Sequence, residues 1–136
     1  MRVRDASDAA VSQYIKEGFS SLSEQEQMLV AIWGLEGDVN NGGFDQYYFN
    51  SYGNYADRVI GYLKSIGAPN MARIVERANE RFGPTGPPAD RFERQEAMDQ
   101  LPGRDDDLWG DLDAEFWKYP DDIEGLLARH LGLVDA

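Results

Sequence analysis

Between Asn40 and Asn54 the chain reads NNGGFDQYYFNSYGN, two amides and two glycines running straight into a dense aromatic segment. Gly42 and Gly43 tolerate positive φ, so the backbone can turn here at little steric cost, and Asn40 and Asn41 offer side-chain hydrogen bonds to the nearby backbone. Phe44 and Tyr48 share a face if the following segment is helical, with Tyr47 one position round. The spacing predicts a helix that stops at the glycines and a short aromatic helix that plugs the core, its tyrosine hydroxyls and Asn50 satisfying backbone ends. A second reading of the same stretch is a small-ligand pocket lined by Asn41, Gln46, Tyr47 and Asn50. No group in it titrates near neutrality, so catalysis is not suggested.

Helical periodicity continues on both sides. Ser7 is placed to cap a first helix carrying Val11, Tyr14, Ile15 and Phe19. Ser23 and Glu26 form a capping box, and Met28, Ile32, Leu35 and Val39 give the next helix an apolar stripe that Leu29 and Trp33 widen. Asn54 is placed to cap a third long helix with Tyr55, Val59, Tyr62, Leu63 and Ile66 inward, ended by Gly67. Pro69 suits a helix start, and Met71, Ile74, Val75, Ala78 and Phe82 form another stripe. Arg73, Glu76, Arg77, Glu80 and Arg81 occupy its outer face as candidate pairs three and four residues apart, which makes this helix locally basic. Residues 83–88, GPTGPP, form a loop. A polar helix from Asp90 to Gln100 is built around Phe92 and Met98. A short helix is marked by Leu108, Leu112 and Phe116, and a last one by Ile123, Leu126, Leu127 and Leu131. No segment alternates as a strand would and no repeat is present, so the reading is all-α, one compact domain over residues 1–136 with six to eight helices.

A chain of 136 residues, 42% hydrophobic, can bury a core of its own. It has no apolar run near the length of a membrane span, its first residues do not read as a signal peptide, and it has no cysteine. A cytoplasmic protein without membrane contact is the expectation. Twenty-five acids against thirteen bases give a net charge of −12, which would repel phosphate backbones, so direct nucleic-acid binding is not expected and basic proteins are the natural partners.

The excess is uneven: from Asp99 to Glu124 there are ten acids and only two bases, Arg104 and Lys118. Asp111 and Asp113 open one helix, and Asp121, Asp122 and Glu124 lie at the front of the next, where each carboxylate is stabilised by about 0.3–1 kcal/mol. Asp105, Asp106 and Asp107 repel one another, and only one of the three can serve as a cap. The candidate partner-binding surface is therefore Asp105, Asp106, Asp107, Asp111, Asp113, Glu115, Asp121, Asp122 and Glu124.

Enzymatic patterns are absent. His130 is the only histidine and reads as partly buried near the apolar stripe; no catalytic pair, metal motif or phosphate loop accompanies it. A calcium loop starting at Asp105 would place Trp109 and Phe116 where oxygen ligands are needed. No enzyme activity, metal site or cofactor is expected.

The motif carried by Asn41, Gly42, Gly43, Phe44, Gln46, Tyr47, Phe49, Asn50 and Ser51 resembles that of the DNA-mimic protein domain family, small acidic bacterial proteins. Ile66-Gly67-Ala68, and Leu112, Asp113 and Phe116 ahead of the stretch from Pro120 to Leu131, extend the resemblance over about residues 23–131. The motif itself is apolar, amide and glycine, so it speaks for fold and structural roles without carrying over any family binding residue. What the resemblance implies is a double-stranded DNA mimic that occupies the DNA-binding surface of a transcription factor or other basic protein and so regulates transcription. Such a mimic must hold carboxylates in two separated rows, with Asp105 to Asp107 in one and Asp121, Asp122 and Glu124 in the other. One monomer is short of charge for a long duplex, so a symmetric homodimer is expected, as the resemblance also implies. An immunity-type inhibitor of a basic nuclease or toxin is the alternative that uses the same electrostatics.

Overall fold

A computed structural model describes residues 1–134. Among these, seven α-helices follow one another: α1 (Val3–Glu17), α2 (Glu24–Phe49), α3 (Arg58–Ser65), α4 (Pro69–Glu80), α5 (Arg91–Asp99), α6 (Gly110–Trp117) and α7 (Ile123–Leu131). Short 3-10 turns at Phe19–Ser21, Ser51–Tyr55 and Arg104–Asp106 link them. The described residues contain no strand; a single bridge between Arg2 and Val134 brings the two ends of the described stretch together. The all-α architecture thus follows the periodicity, and among the described residues no helix is long and apolar enough to cross a membrane.

α2 is the central helix. Val30, Ala31, Ile32, Leu35 and Val39 are all shielded from solvent, so α2 is buried round most of its circumference by α1, α3, α5 and α6 rather than along one stripe. Each Val, Ile and Leu among them contributes about 1.5–3 kcal/mol through burial. Trp33, assigned to the stripe from sequence, stands at its edge and is half exposed. The capping box is present: Ser23 Oγ accepts from Glu26 N–H at 3.2 Å, and Glu26 Oε1 accepts from Ser23 N–H at 2.8 Å.

The glycine pair breaks α2 into limbs 24–41 and 44–49, with Gly42 at φ −151° and Gly43 at φ +75°. The second limb drives Phe44, Tyr47 and Tyr48 into the core. Phe44 stacks on Tyr48 at 5.9 Å, and Tyr48 meets Phe82 and Trp109 at 4.8 and 5.0 Å. Tyr48 Oη donates to Asn79 Oδ1 at 2.6 Å, and Asn79 Nδ2 donates to the Ala56 carbonyl at 3.0 Å. The tyrosine hydroxyl therefore satisfies a buried side chain, not the backbone end expected from sequence.

Several local expectations are corrected. Ser7 does not cap α1, which begins at Val3 because the bridge to Val134 orders the chain earlier; Ser7 is buried inside the helix. Asn54 caps nothing: residues 51–55 form a 3-10 turn and α3 has only eight residues. α3 does end at Gly67, where Ala68 N–H reaches back to the Leu63 carbonyl at 2.8 Å. In α5 Met98 is buried as the sequence reading placed it, but Phe92 is 77% exposed and Arg94 is wholly buried. Arg94 donates to four carbonyls, those of Tyr48 (2.6 Å), Asn50 (2.8 Å), Pro88 (3.0 Å) and Ala89 (3.1 Å), so it fastens the end of α2 to the loop before α5. His130 is exposed rather than partly buried.

Candidate functional site

The acidic segment divides into carboxylates that hold the fold and carboxylates that face outward. Three ties join α4 to α6 and the turn after it in one antiparallel register. Asp121 Oδ2 accepts from Met71 N–H at 2.8 Å, Glu115 pairs with Arg77 at 3.1 Å, and Asp111 takes both arms of Arg81 at 2.6 and 2.8 Å. The steps from Met71 to Arg77 to Arg81 are six and four residues, matched by the same steps back from Asp121 to Glu115 to Asp111. Arg77 and Arg81 thus pair across to α6 instead of along their own helix, and Glu76 pairs with Lys64 of α3 at 3.0 Å. The Arg81 guanidinium holds the Asp111 carboxyl down to about 2. Asp121 supplies the cap that Ala68, the residue preceding α4, cannot.

Asp113 does the same for the aromatic limb of α2. Its Oδ1 accepts from Phe44 N–H at 2.8 Å, the first amide after the glycine break, and the residue is only 8% exposed. A Cβ on Gly43 would fall against this carboxylate, so Gly43 is required both by its φ and by the close approach. Burial pushes the Asp113 carboxyl up, against the lowering effect of the Phe44 hydrogen bond. Asp113 is therefore withdrawn from the candidate partner-binding surface: it is a helix cap reached from 69 residues away.

Two groups of carboxylates remain at the surface. Asp105, Asp106 and Asp107 are exposed on and just after the 3-10 turn before α6, with Asp107 at φ +61°. Arg104 anchors this turn, donating to Asp45 Oδ2 at 3.0 Å and to Asp99 Oδ1 at 2.9 Å. Asp45 and Asp99 thereby join the same patch, although the sequence reading left them out. Asp45 stands next to Phe44 in the family motif, and its neighbourhood with Arg104 comes only from the turn at the glycines. The second group is Asp122 and Glu124 at the front of α7, where Asp122 Oδ1 accepts from Gly125 N–H at 3.2 Å. Glu36 of α2 lies close to both. Its carboxyl is raised chiefly by burial and further by Glu124 and Asp122, while the hydroxyl of Tyr119, donating at 2.6 Å, works the other way. No local pattern in the sequence singles out Glu36.

The side chains of the amide cluster bond to other side chains at and near the surface. Asn41 Nδ2 donates to Gln46 Oε1 at 2.9 Å, while Gln46 Nε2 and Asn50 Nδ2 both donate to Asp38 Oδ1, at 3.0 and 3.1 Å. Asn40 Nδ2 donates to Tyr119 Oη at 2.8 Å. These amides bond side chains, not the adjacent backbone, and Asp38, unnoticed in the sequence, is their common acceptor. Tyr47 Oη, Asp38 Oδ2 and Asn54 Oδ1 are buried with no partner among the described residues. Phe49, the remaining ring of the motif, is half exposed. Hydrogen bonds already made within the cluster weigh against the small-ligand reading.

No curated protein and no solved structure matches the chain. Residues 20–133 match the family model described as DMP19-like protein, nearly the whole of the helical domain built above. The chain belongs to the DMP19-like family.

Proposed function

We propose that this protein is a non-catalytic acidic module that presents carboxylates in place of DNA phosphates to the basic surface of a DNA-binding protein. Membership of the DMP19-like family, a family of DNA mimics, supports the class of partner. The observation that carries the reading is the disposition of the outward carboxylates on either side of α6. Asp105, Asp106 and Asp107 precede this helix, and Asp122 and Glu124 follow it. α6, whose eight residues span about 12 Å, lies between the two groups along the chain. The ties from α6 to α4 and α2 keep the two groups from collapsing together.

Lys and Arg side chains of the partner that otherwise meet phosphates would meet these groups, and mutual charge would speed encounter and make binding fall with salt. Asp111 and Glu115 are exposed enough to add to the field but are partly neutralised by Arg81 and Arg77. The test is capture of the DNA-binding protein by the wild-type chain and by a variant carrying Asp105→Asn, Asp106→Asn, Asp107→Asn and Glu124→Gln. Asn tolerates the left-handed backbone of Asp107, so the helix content should be unchanged. Capture should be lost; undiminished capture by the folded variant would refute the surface assignment. A toxin or nuclease as the captured species, retained in excess duplex DNA, would instead favour the immunity-type reading.

A further inference from the structure

On the outer side of the α4–α6 seam lies a recess of about 340 Å³ whose charge opposes that of the molecule as a whole. Arg73, Arg77 and Lys118 converge on it, with Glu115 as the one acid in its lining. In a chain with 25 acids and 13 bases, three cations have been gathered where one carboxylate serves them. Glu115 is already committed to Arg77, at 3.1 and 3.3 Å. Arg73 and Lys118 are exposed and make no ion pair or side-chain hydrogen bond among the described residues. Arg73 and Arg77 are four residues apart on one helix face, an arrangement of like charges that is unfavourable unless an anion lies between them.

The rest of the lining narrows the chemistry. Ile74, itself buried, and Pro120 provide apolar surface, and Asn70 adds an amide whose Nδ2 also donates to Asp121 Oδ1 at 3.0 Å at the edge of the recess. Two guanidinium groups and an ammonium exceed what a carboxylate can use, whereas a tetrahedral phosphate offers oxygens to all three. The volume lies at the small end of ligand sites and exceeds the needs of a bare phosphate, leaving room for an attached apolar group against Ile74 and Pro120. We propose that this recess binds a small organic phosphate monoester, its phosphate held by Arg73, Arg77 and Lys118. A polyanion is a poor fit. Neighbouring phosphates of a nucleic acid would meet the surrounding acidic surface of a −12 molecule, while a single phosphate within about 8 Å of the cations is screened from most of it.

The test titrates the intact chain with phenyl phosphate, inorganic phosphate and a single-stranded oligonucleotide at low salt, following calorimetric heat and backbone amide shifts. Phenyl phosphate should bind saturably at one site and perturb amides around Arg73 and Lys118, tighter than inorganic phosphate. Arg73→Gln and Lys118→Gln should each weaken it by about tenfold or more, as expected for loss of a charged hydrogen bond. Both side chains are exposed and unpaired, so melting of the ligand-free variants should match the wild type. Absence of saturable binding, unchanged affinity in both variants, or equally tight binding of the oligonucleotide at this recess would overturn the proposal.

Discussion

Replacing Asp113 by Ala isolates a single bond on which the aromatic limb of α2 depends. The substitution leaves Phe44 N–H buried without its acceptor, which costs about 1–3 kcal/mol, and the loss of a helix cap is the same term seen from the helix end. Removing a buried carboxylate returns part of that through relief of desolvation, so the net loss is about 1–2.5 kcal/mol at neutral pH. For a domain of 136 residues this corresponds to a fall in Tm of about 4–10 °C. Urea unfolding followed by circular dichroism, with thermal melts alongside, measures it directly. Asp113→Asn keeps an acceptor and should recover most of the loss. The pH dependence has a definite sign. Because burial raises the folded-state carboxyl, the stability tied to its ionisation is fully present below the unfolded value of about 3.9 and is lost as pH rises through the folded one. The Ala deficit should therefore be larger near pH 4 than at pH 7. An Ala variant within about 0.5 kcal/mol of wild type, or an Asn variant as damaged as Ala, would refute the assignment of Asp113 as a cap.

Gly43→Val should destabilise by about 2–4 kcal/mol, since it combines a β-branched residue at positive φ with displacement of Asp113; equilibrium urea unfolding would show it. Arg94→Met should cost about 2–4 kcal/mol in the same assay, because four carbonyls lose their shared donor; a neutral result would mean that water replaces the guanidinium there. Tyr47→Phe removes a buried hydroxyl that has no partner among the described residues and should leave stability within about 0.5 kcal/mol or raise it; a loss above about 1 kcal/mol would indicate a hydrogen bond at that hydroxyl.

Features that act within a few residues were legible in the sequence. The Ser23–Glu26 capping box, the proline opening α4, the break at Gly42–Gly43 and the burial of Phe44 and Tyr48 all depend on neighbours along the chain. Features set by distant partners were not. Asp113 and Asp121 resemble ordinary acids at helix fronts, yet they accept from helix-front amides 69 and 50 residues earlier. Nothing in the local pattern marked Arg94, since two of the four carbonyls that receive it lie at the end of another helix, and Phe92 was placed inward for want of that knowledge. At the candidate surface, Asp105, Asp106 and Asp107 were recognisable from mutual repulsion alone. Asp45, Asp99 and Glu36 joined the two groups only through tertiary contacts with Arg104 and Tyr119.

The most direct test of DNA mimicry is competition for one surface. A DNA-binding protein recovered on the immobilised chain would be bound to its fluorescent duplex, and the acidic protein titrated in while polarisation is followed. Mimicry predicts full displacement of the duplex, with an apparent dissociation constant for the acidic protein that rises with added DNA, and direct binding that weakens with salt. A stable ternary complex, in which duplex and acidic protein occupy the partner together, would contradict it.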